Sequence, residues 1–269
     1  MEDREPRRQR PPTLPAGEFK PKQSLGQNYL SDQNYVAKIV NHFSDNSEGG
    51  CRVVELGPGA GALTQMLLER FPRMTAVDID QRAVELLQES MPELTVVRSD
   101  LDYTALARLR GGPLSVIGNL PYHITSQILF ALLDHYSAVR SAIVTMQLEV
   151  AQRICARPNT KDYGTLSVAF QLYARPSILF KIPNTVFYPQ PKVTSALLGL
   201  DFTGRGPNID PRSLRLVLGT AFQQRRKMLR QSLRGVVPAG RELPAEFAAR
   251  RPEQLTPDEF VELTARLFG

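Results

Sequence analysis

The chain has 269 residues, 42% of them hydrophobic and 22% charged, and a net charge of +6. That suffices for one substantial core with a smaller unit attached. No apolar run approaches the roughly 18 residues that span a bilayer, and no charged-then-apolar leader opens the sequence, so neither a membrane nor a secretory route is expected. Two cysteines, Cys51 and Cys155, have neither metal spacing nor the density of a disulfide scaffold, which predicts reduced thiols in the packing.

Residues 1–18 are rich in Arg and Pro and poor in residues that pack, and are expected to form a disordered basic tail. From Cys51, short apolar runs alternate with helical patterns: Arg52–Leu56 then Ala62–Phe71, Met74–Ile79 then Arg82–Met91, Leu94–Arg98, Leu114–Ile117 then Ser126–Tyr136, and Ala142–Met146 then Leu148–Ala156. Such alternation predicts an α/β, doubly wound, mostly parallel sheet, with ligands outside the carboxyl ends of its strands. A helical pattern at Thr165–Ala174 is followed by the runs Ser177–Ile182 and Ala196–Phe202, with no long crossover between them. They predict an antiparallel edge pair and seven strands, an arrangement that resembles the methyltransferase variant of the doubly wound, Rossmann-like sheet. Gly204 to Asn208 has linker composition, and only helical patterns follow. The predicted units are 19–203, the cofactor-binding domain, and 204–269, a small all-helical domain.

Val53 to Thr64 runs from a strand through a glycine turn, Gly57, Gly59 and Gly61, into a helix. Glycines there let the backbone approach a ligand closely. Gly57-x-Gly59-x-x-Ala62 also satisfies a permissive dinucleotide pattern, so the turn alone leaves a nicotinamide enzyme open. The acids after successive apolar runs narrow the choice. Glu55, Asp78 and Asp100 should line one crevice, and S-adenosylmethionine offers an ammonium, a ribose diol and an adenine amine to three such groups. Ile79 and Leu101, beside the second and third acids, complete the expected cofactor contacts.

After the fourth strand stands Asn119-Leu120-Pro121-Tyr122, which resembles the loop of methyltransferases that modify exocyclic amines of bases. The Asn119 side-chain carbonyl and the Leu120 backbone carbonyl, the latter directed by Pro121, can accept from the two N–H groups of an adenine amine. That draws its lone pair out of conjugation, and Tyr122 offers a face for the base. Asn119 thereby borders cofactor and base alike. Because the sulfonium is already a good leaving group, alignment is the main demand and no metal is expected. His123 borders this loop without a clear need for a base, and His42 and His135 are expected in packing or surface roles.

In this light the chain resembles the ribosomal RNA adenine dimethyltransferases from about Lys20 to its end. Lys22 to Leu30 resembles their N-terminal motif, which implies cofactor contacts for Gln27, Asn28 and Leu30. Gln147 to Ala151 continues the match, and Phe187 to Ser195 resembles a late motif, which implies that Phe187 is the second wall of the adenine slot. Phe222 to Arg230 and Arg251 to Leu255 resemble their C-terminal domain. The chain departs from the pattern with Asp78 for Glu, Leu148 for Lys, Thr194 for Asp and Tyr29 for Phe. The resemblance implies S-adenosylmethionine-dependent N6,N6-dimethylation of two adjacent adenosines near the 3′ end of small-subunit ribosomal RNA. It also implies work on an assembling ribosomal subunit, as a monomer, in the cytoplasm or an organelle interior. Alternatives are a noncatalytic assembly or transcription factor on the same fold, and a large-subunit RNA methyltransferase.

The charge distribution agrees with an RNA partner: residues 204–269 hold 12 Lys/Arg against 7 Asp/Glu. One helix over Leu214–Leu233 is expected to put Arg226, Arg230 and Arg234 on a single stripe, with Arg225 and Lys227 beside it, for phosphate contacts.

Overall fold

The computed structural model describes residues 27–98, 102–204 and 206–269. The predicted tail, the first half of the N-terminal motif, Asp100 and Leu101 lie outside them.

The described residues open on a two-residue strand, β1 (Tyr29–Leu30), and helix α1 (Gln33–His42). The Asp32 carboxylate accepts from the Asn34 and Tyr35 amides to cap α1, and Val36, Ile39 and Val40 form its buried face. Then follow β2 (Val53–Leu56), α2 (Thr64–Arg70), β3 (Thr75–Val77), α3 (Gln81–Ser90), β4 (Thr95–Val97), α4 (Tyr103–Leu109), β5 (Leu114–Asn119), α5 (Thr125–Asp134), β6 (Val139–Gln147) and α6 (Leu148–Ile154). After α7 (Thr165–Tyr173) come β7 (Ala174–Ile182), β8 (Phe187–Tyr188) and β9 (Ser195–Phe202). Four helices end the chain: α8 (Pro211–Gln223), α9 (Leu229–Ser232), α10 (Ala245–Ala248) and α11 (Pro257–Phe268).

Seven strands form one sheet in the order β4-β3-β2-β5-β6-β9-β7. Neighbours from β4 to β6 are parallel, and β9 runs antiparallel to both β6 and β7, as the apolar runs predicted. Because side chains alternate across a sheet, Val53 and Ile117 join the core under α1, α2 and α3, while Val54 and Val116 join the core under α4 to α7. Strand order reverses between β2 and β5, and this switch point opens a crevice at the carboxyl ends of the strands.

A second sheet, unforeseen from the sequence, pairs β1 with β8: Tyr29 lies opposite Tyr188 and Leu30 opposite Phe187. The N-terminal motif is thereby tied to the late motif. Helices α1 and α4 also went unpredicted, although Asp32 and Asp102 are N-cap signals for them.

The C-terminal helices share a third core around Leu218, Phe247, Phe260 and Leu263, and Tyr163 and Val168 from the α7 region belong to it too. Helix α11 starts on a capping box in which Thr256 and Glu259 bond each other's backbone N–H, with Pro257 in the first turn. The single helix expected over Leu214–Leu233 is two: α8 stops at Gln223 and α9 starts at Leu229. Between them the Lys227 amide turns back to the Gln224 carbonyl, and the Leu229 amide bonds the Arg250 carbonyl instead of continuing a helix. Cys51 and Cys155 are free thiols. Among the described residues no helix is long and apolar enough to cross a membrane.

Candidate active site

A cavity of about 360 Å³ lies at the switch point, within the size range of small-molecule sites. Its walls include Glu55 and Leu56 from the end of β2, the Gly57–Gly59 turn, Val77 at the end of β3 with Asp78 after it, and Asn119 at the end of β5 with Pro121 beyond it. Gln27 and Asn28 close it from the N-terminal motif, and Ile79, half-exposed, flanks it.

The turn between β2 and α2 needs its glycines for different reasons. Gly57, Gly59 and Gly61 all have φ between +55° and +83°, the left-handed region. At Gly57 a Cβ would meet nothing closer than 3.7 Å, whereas at Gly59 it would sit 2.7 Å from Cε1 of the buried Tyr29 ring. Gly57→Ala is therefore expected to lower the melting temperature of the ligand-free protein by about 2–8 °C, the left-handed backbone cost alone. Gly59→Ala should lower it further, because Tyr29 must also move. Equal melting temperatures for the two variants, measured by thermal unfolding, would contradict this placement of Tyr29.

Glu55 is fully buried, and its Oε2 has no hydrogen-bond partner among the described residues. Burial pushes its pKa up to about 8, with the nearby Thr64 hydroxyl opposing the shift and the Asp78 charge adding to it. A buried acid with an unsatisfied oxygen on a ligand cavity suits a cationic group. Asp78 accepts from the Gly59 amide at 3.1 Å and the Asp80 amide at 2.8 Å. Burial still raises its pKa, because desolvation outweighs those two bonds. The shorter aspartate thus braces the glycine turn while it lines the cavity.

Asp80, next along the wall, was not anticipated. Its carboxylate pairs with Arg82 at 2.6 Å and accepts from Gln27 Nε2 at 3.4 Å, and the Arg82 bonds hold its pKa below the usual carboxylate range. Its position as N-cap of α3 is the signal that could have found it.

The Asn119–Tyr122 loop leaves β5 beside this wall. Asn119 Nδ2 donates to the Asn28 carbonyl at 2.8 Å, and Asn119 Oδ1 accepts from the Thr145 hydroxyl. Leu120 is buried, which anchors the loop and leaves its peptide group as the part able to take part in chemistry. The Pro121 carbonyl accepts from the Thr125 hydroxyl and so ties the loop to the first turn of α5. Tyr122 is half-buried, and its hydroxyl bonds that of Ser195. Thr145 and Ser195 were also missed, each standing as a small polar residue within or at the edge of an apolar run.

The packing corrects two expectations. Phe187 is only 1% exposed and packs with Tyr29 and Leu30 in the sheet core, so in this structure it offers no wall to a base slot. Its pairing with Leu30 across β1 and β8 turns the ring inward. Arg225 is not a free phosphate ligand: it pairs with Glu253 at 2.8 Å and donates to the Lys161 and Thr160 carbonyls. Arg226, Lys227, Arg230 and Arg234 are exposed, but the break after α8 places them on a turn, on α9 and beyond it, not on one helical stripe.

Buried carboxyl groups beside the turn, one with an unsatisfied oxygen, suit a cationic nucleoside and offer nothing to a pyrophosphate, which separates the two readings of the glycine turn. The protein is an S-adenosylmethionine-dependent methyltransferase. Comparison with known proteins gives the narrower assignment: the family model for ribosomal RNA adenine dimethylases matches residues 18–263, and the chain belongs to that family. It is 48% identical over 258 residues to the ribosomal RNA small subunit methyltransferase A of Salinibacter ruber, covering 93% of this chain and 86% of that protein. Identity to the protein of the same name from Chlorobaculum parvum is 42%, over 91% of this chain and 89% of that one. Among solved structures, a dimethyladenosine transferase from Plasmodium falciparum superposes with a TM-score of 0.71 over 87% of this chain and 95% of that chain, at 21% identity. A likeness at that identity speaks to the fold.

Proposed function

We propose that the protein transfers methyl groups from S-adenosylmethionine to N6 of two adjacent adenosines near the 3′ end of small-subunit ribosomal RNA, two to each. Its substrate would be an assembling subunit, in the cytoplasm or, alternatively, in an organelle interior. The observation that carries this reading is the Asn119 side chain, held at the cavity wall with its amide nitrogen on the Asn28 carbonyl and its oxygen on the Thr145 hydroxyl, so that the second lone pair of that oxygen is left for a substrate amine.

The bound cofactor supplies an electrophilic methyl on a sulfonium. Glu55 would hold its ammonium and Asp78 its ribose diol, in the order that β2 and β3 present them. Asn119 Oδ1 and the Leu120 carbonyl accept from the adenine amine, and Tyr122 stacks on the ring. The amine nitrogen, its lone pair freed by those two acceptors, would take the methyl in exchange for the methyl–sulfur bond, and its surplus proton would pass to solvent. The test is methyl transfer from labelled cofactor to undermethylated small subunits, with product mapped after nuclease digestion. Dimethyladenosine at two adjacent sites supports the reading. Binding of cofactor and subunit without transfer would make the protein an assembly factor instead.

RNA contacts are assigned to Arg226, Lys227, Arg230 and Arg234. Their joint replacement by alanine should flatten the slope of log affinity against log salt by about 0.7–0.9 for each phosphate no longer neutralised. Arg225→Ala should leave that slope unchanged and lower the melting temperature, because it removes the partner of Glu253. Filter binding at three salt concentrations separates these outcomes, and a slope that moves with Arg225 alone contradicts the assignment.

A further inference from the structure

Thr145 lies directly across from Asn119 in the parallel β5–β6 ladder, and Ser195 begins β9, the strand on the far side of β6. Both are fully buried. A hydroxyl in such a position must find a partner, and an apolar residue of similar size would fill the same space without that demand. Both hydroxyls reach out of their own strands to the loop after β5. Thr145 donates to Asn119 Oδ1, and Ser195 bonds the Tyr122 hydroxyl. The two side chains that work on the base are each gripped from the sheet behind them.

The grip on Asn119 has a direction. With Nδ2 on the Asn28 carbonyl, a flipped amide would set two oxygens against each other, so Thr145 meets the oxygen and occupies one of its two lone pairs. The second lone pair is then held at a single angle. We propose that Thr145 and Ser195 are positioning residues for methyl transfer: Thr145 fixes the acceptor direction of Asn119, and Ser195 fixes where the tip of the Tyr122 ring lies. This rests on the reading that Asn119 and Tyr122 hold the target adenine.

The two transfers depend on this aim unequally. An unmodified amine has two N–H groups, and either can meet a wandering acceptor. After one methylation a single N–H remains, and only a correctly aimed acceptor holds it. Loss of the Thr145 hydroxyl should therefore slow the second transfer more than the first and leave N6-monomethyladenosine, a signature that a stability defect does not produce.

The experiment compares Thr145→Val, Thr145→Ser, Ser195→Ala, Tyr122→Phe, Asn119→Ala and the Tyr122→Phe/Ser195→Ala pair on undermethylated small subunits, in single turnovers with products quantified as mono- and dimethyladenosine. Thr145→Val is expected to slow transfer about tenfold, the worth of one hydrogen bond. It should also accumulate the monomethyl product, with unchanged thermal protection by the cofactor, and Thr145→Ser should restore most of the rate. The paired variant should be no slower than Tyr122→Phe alone, because the two hydroxyls act only on each other. Native rates and product ratio in Thr145→Val, or additive losses in the pair, would overturn the proposal. If Thr145→Val fails to fold, Thr145→Ala, read by the same product ratio, and the Ser195 pair still decide it. Should Asn119→Ala itself transfer normally, the reading of the loop fails; if Asn119→Ala is inactive while Thr145→Val is native, only the positioning role fails.

Discussion

Replacing Asn119 by alanine is expected to slow methyl transfer on the order of 100- to 1,000-fold, the usual loss when one preorganised hydrogen-bonding group is removed from a reacting centre. Cofactor affinity should change by less than about tenfold, because the ground state forfeits only one neutral hydrogen bond. The asymmetry follows from where Asn119 acts. Its oxygen is held by Thr145 and its nitrogen by the Asn28 carbonyl before any substrate arrives, so the acceptor is already aimed when the amine needs it. Alanine removes that aim and releases Asn28 as well, which accounts for the residual effect on the cofactor wall. Single-turnover rates on undermethylated subunits, set beside calorimetric affinity for S-adenosylmethionine, check both halves. A rate within threefold of native, or an affinity loss as large as the rate loss, would remove Asn119 from the centre of the chemistry.

The second large effect concerns protons. Burial raises the Glu55 pKa to about 8, so the ligand-free protein should hold it mostly protonated at pH 7. A cationic ammonium beside it favours the carboxylate, so cofactor binding should expel a proton from Glu55. Affinity should then rise with pH from about 6 to 7.5, by up to about tenfold per unit, and level off where the cofactor's own ammonium begins to titrate, near 7.7–8.0 for α-amino groups. The stability of the free protein should move in the opposite sense. The unfolded chain loses the Glu55 proton near its ordinary value of 4.5, whereas the folded protein keeps it to about 8. Across that window the folded state holds the extra proton, and the Glu55 contribution to stability falls as pH rises, at about 1.4 kcal/mol per unit. Glu55→Gln should abolish both slopes while weakening cofactor binding. Calorimetry in two buffers of different ionisation enthalpy reads the released proton directly, and uptake or no exchange at pH 7 would show that Glu55 is not the partner of the ammonium.

The parts of this protein that are local in the chain were legible in its sequence. Strand and helix periods, the glycine turn and the Asn119–Tyr122 loop each lie within a dozen consecutive residues, and backbone geometry and side-chain spacing limit what such a stretch can form. The count of seven strands and the antiparallel edge pair followed from the same patterns, whereas the strand order came from the structure. What the tertiary structure alone decided lies between residues far apart in the chain. Helical propensity predicted one helix from Leu214 to Leu233, and the pull of Glu253, Thr160 and Lys161 on Arg225, together with the Leu229–Arg250 bond, favours two. The β1–β8 ladder turned Phe187 into the core, and strand register set Thr145 against Asn119. No local period encodes such partners: a buried polar group accepts whichever neighbour the packing of distant strands brings within reach, and that choice is made only when the whole sheet has formed.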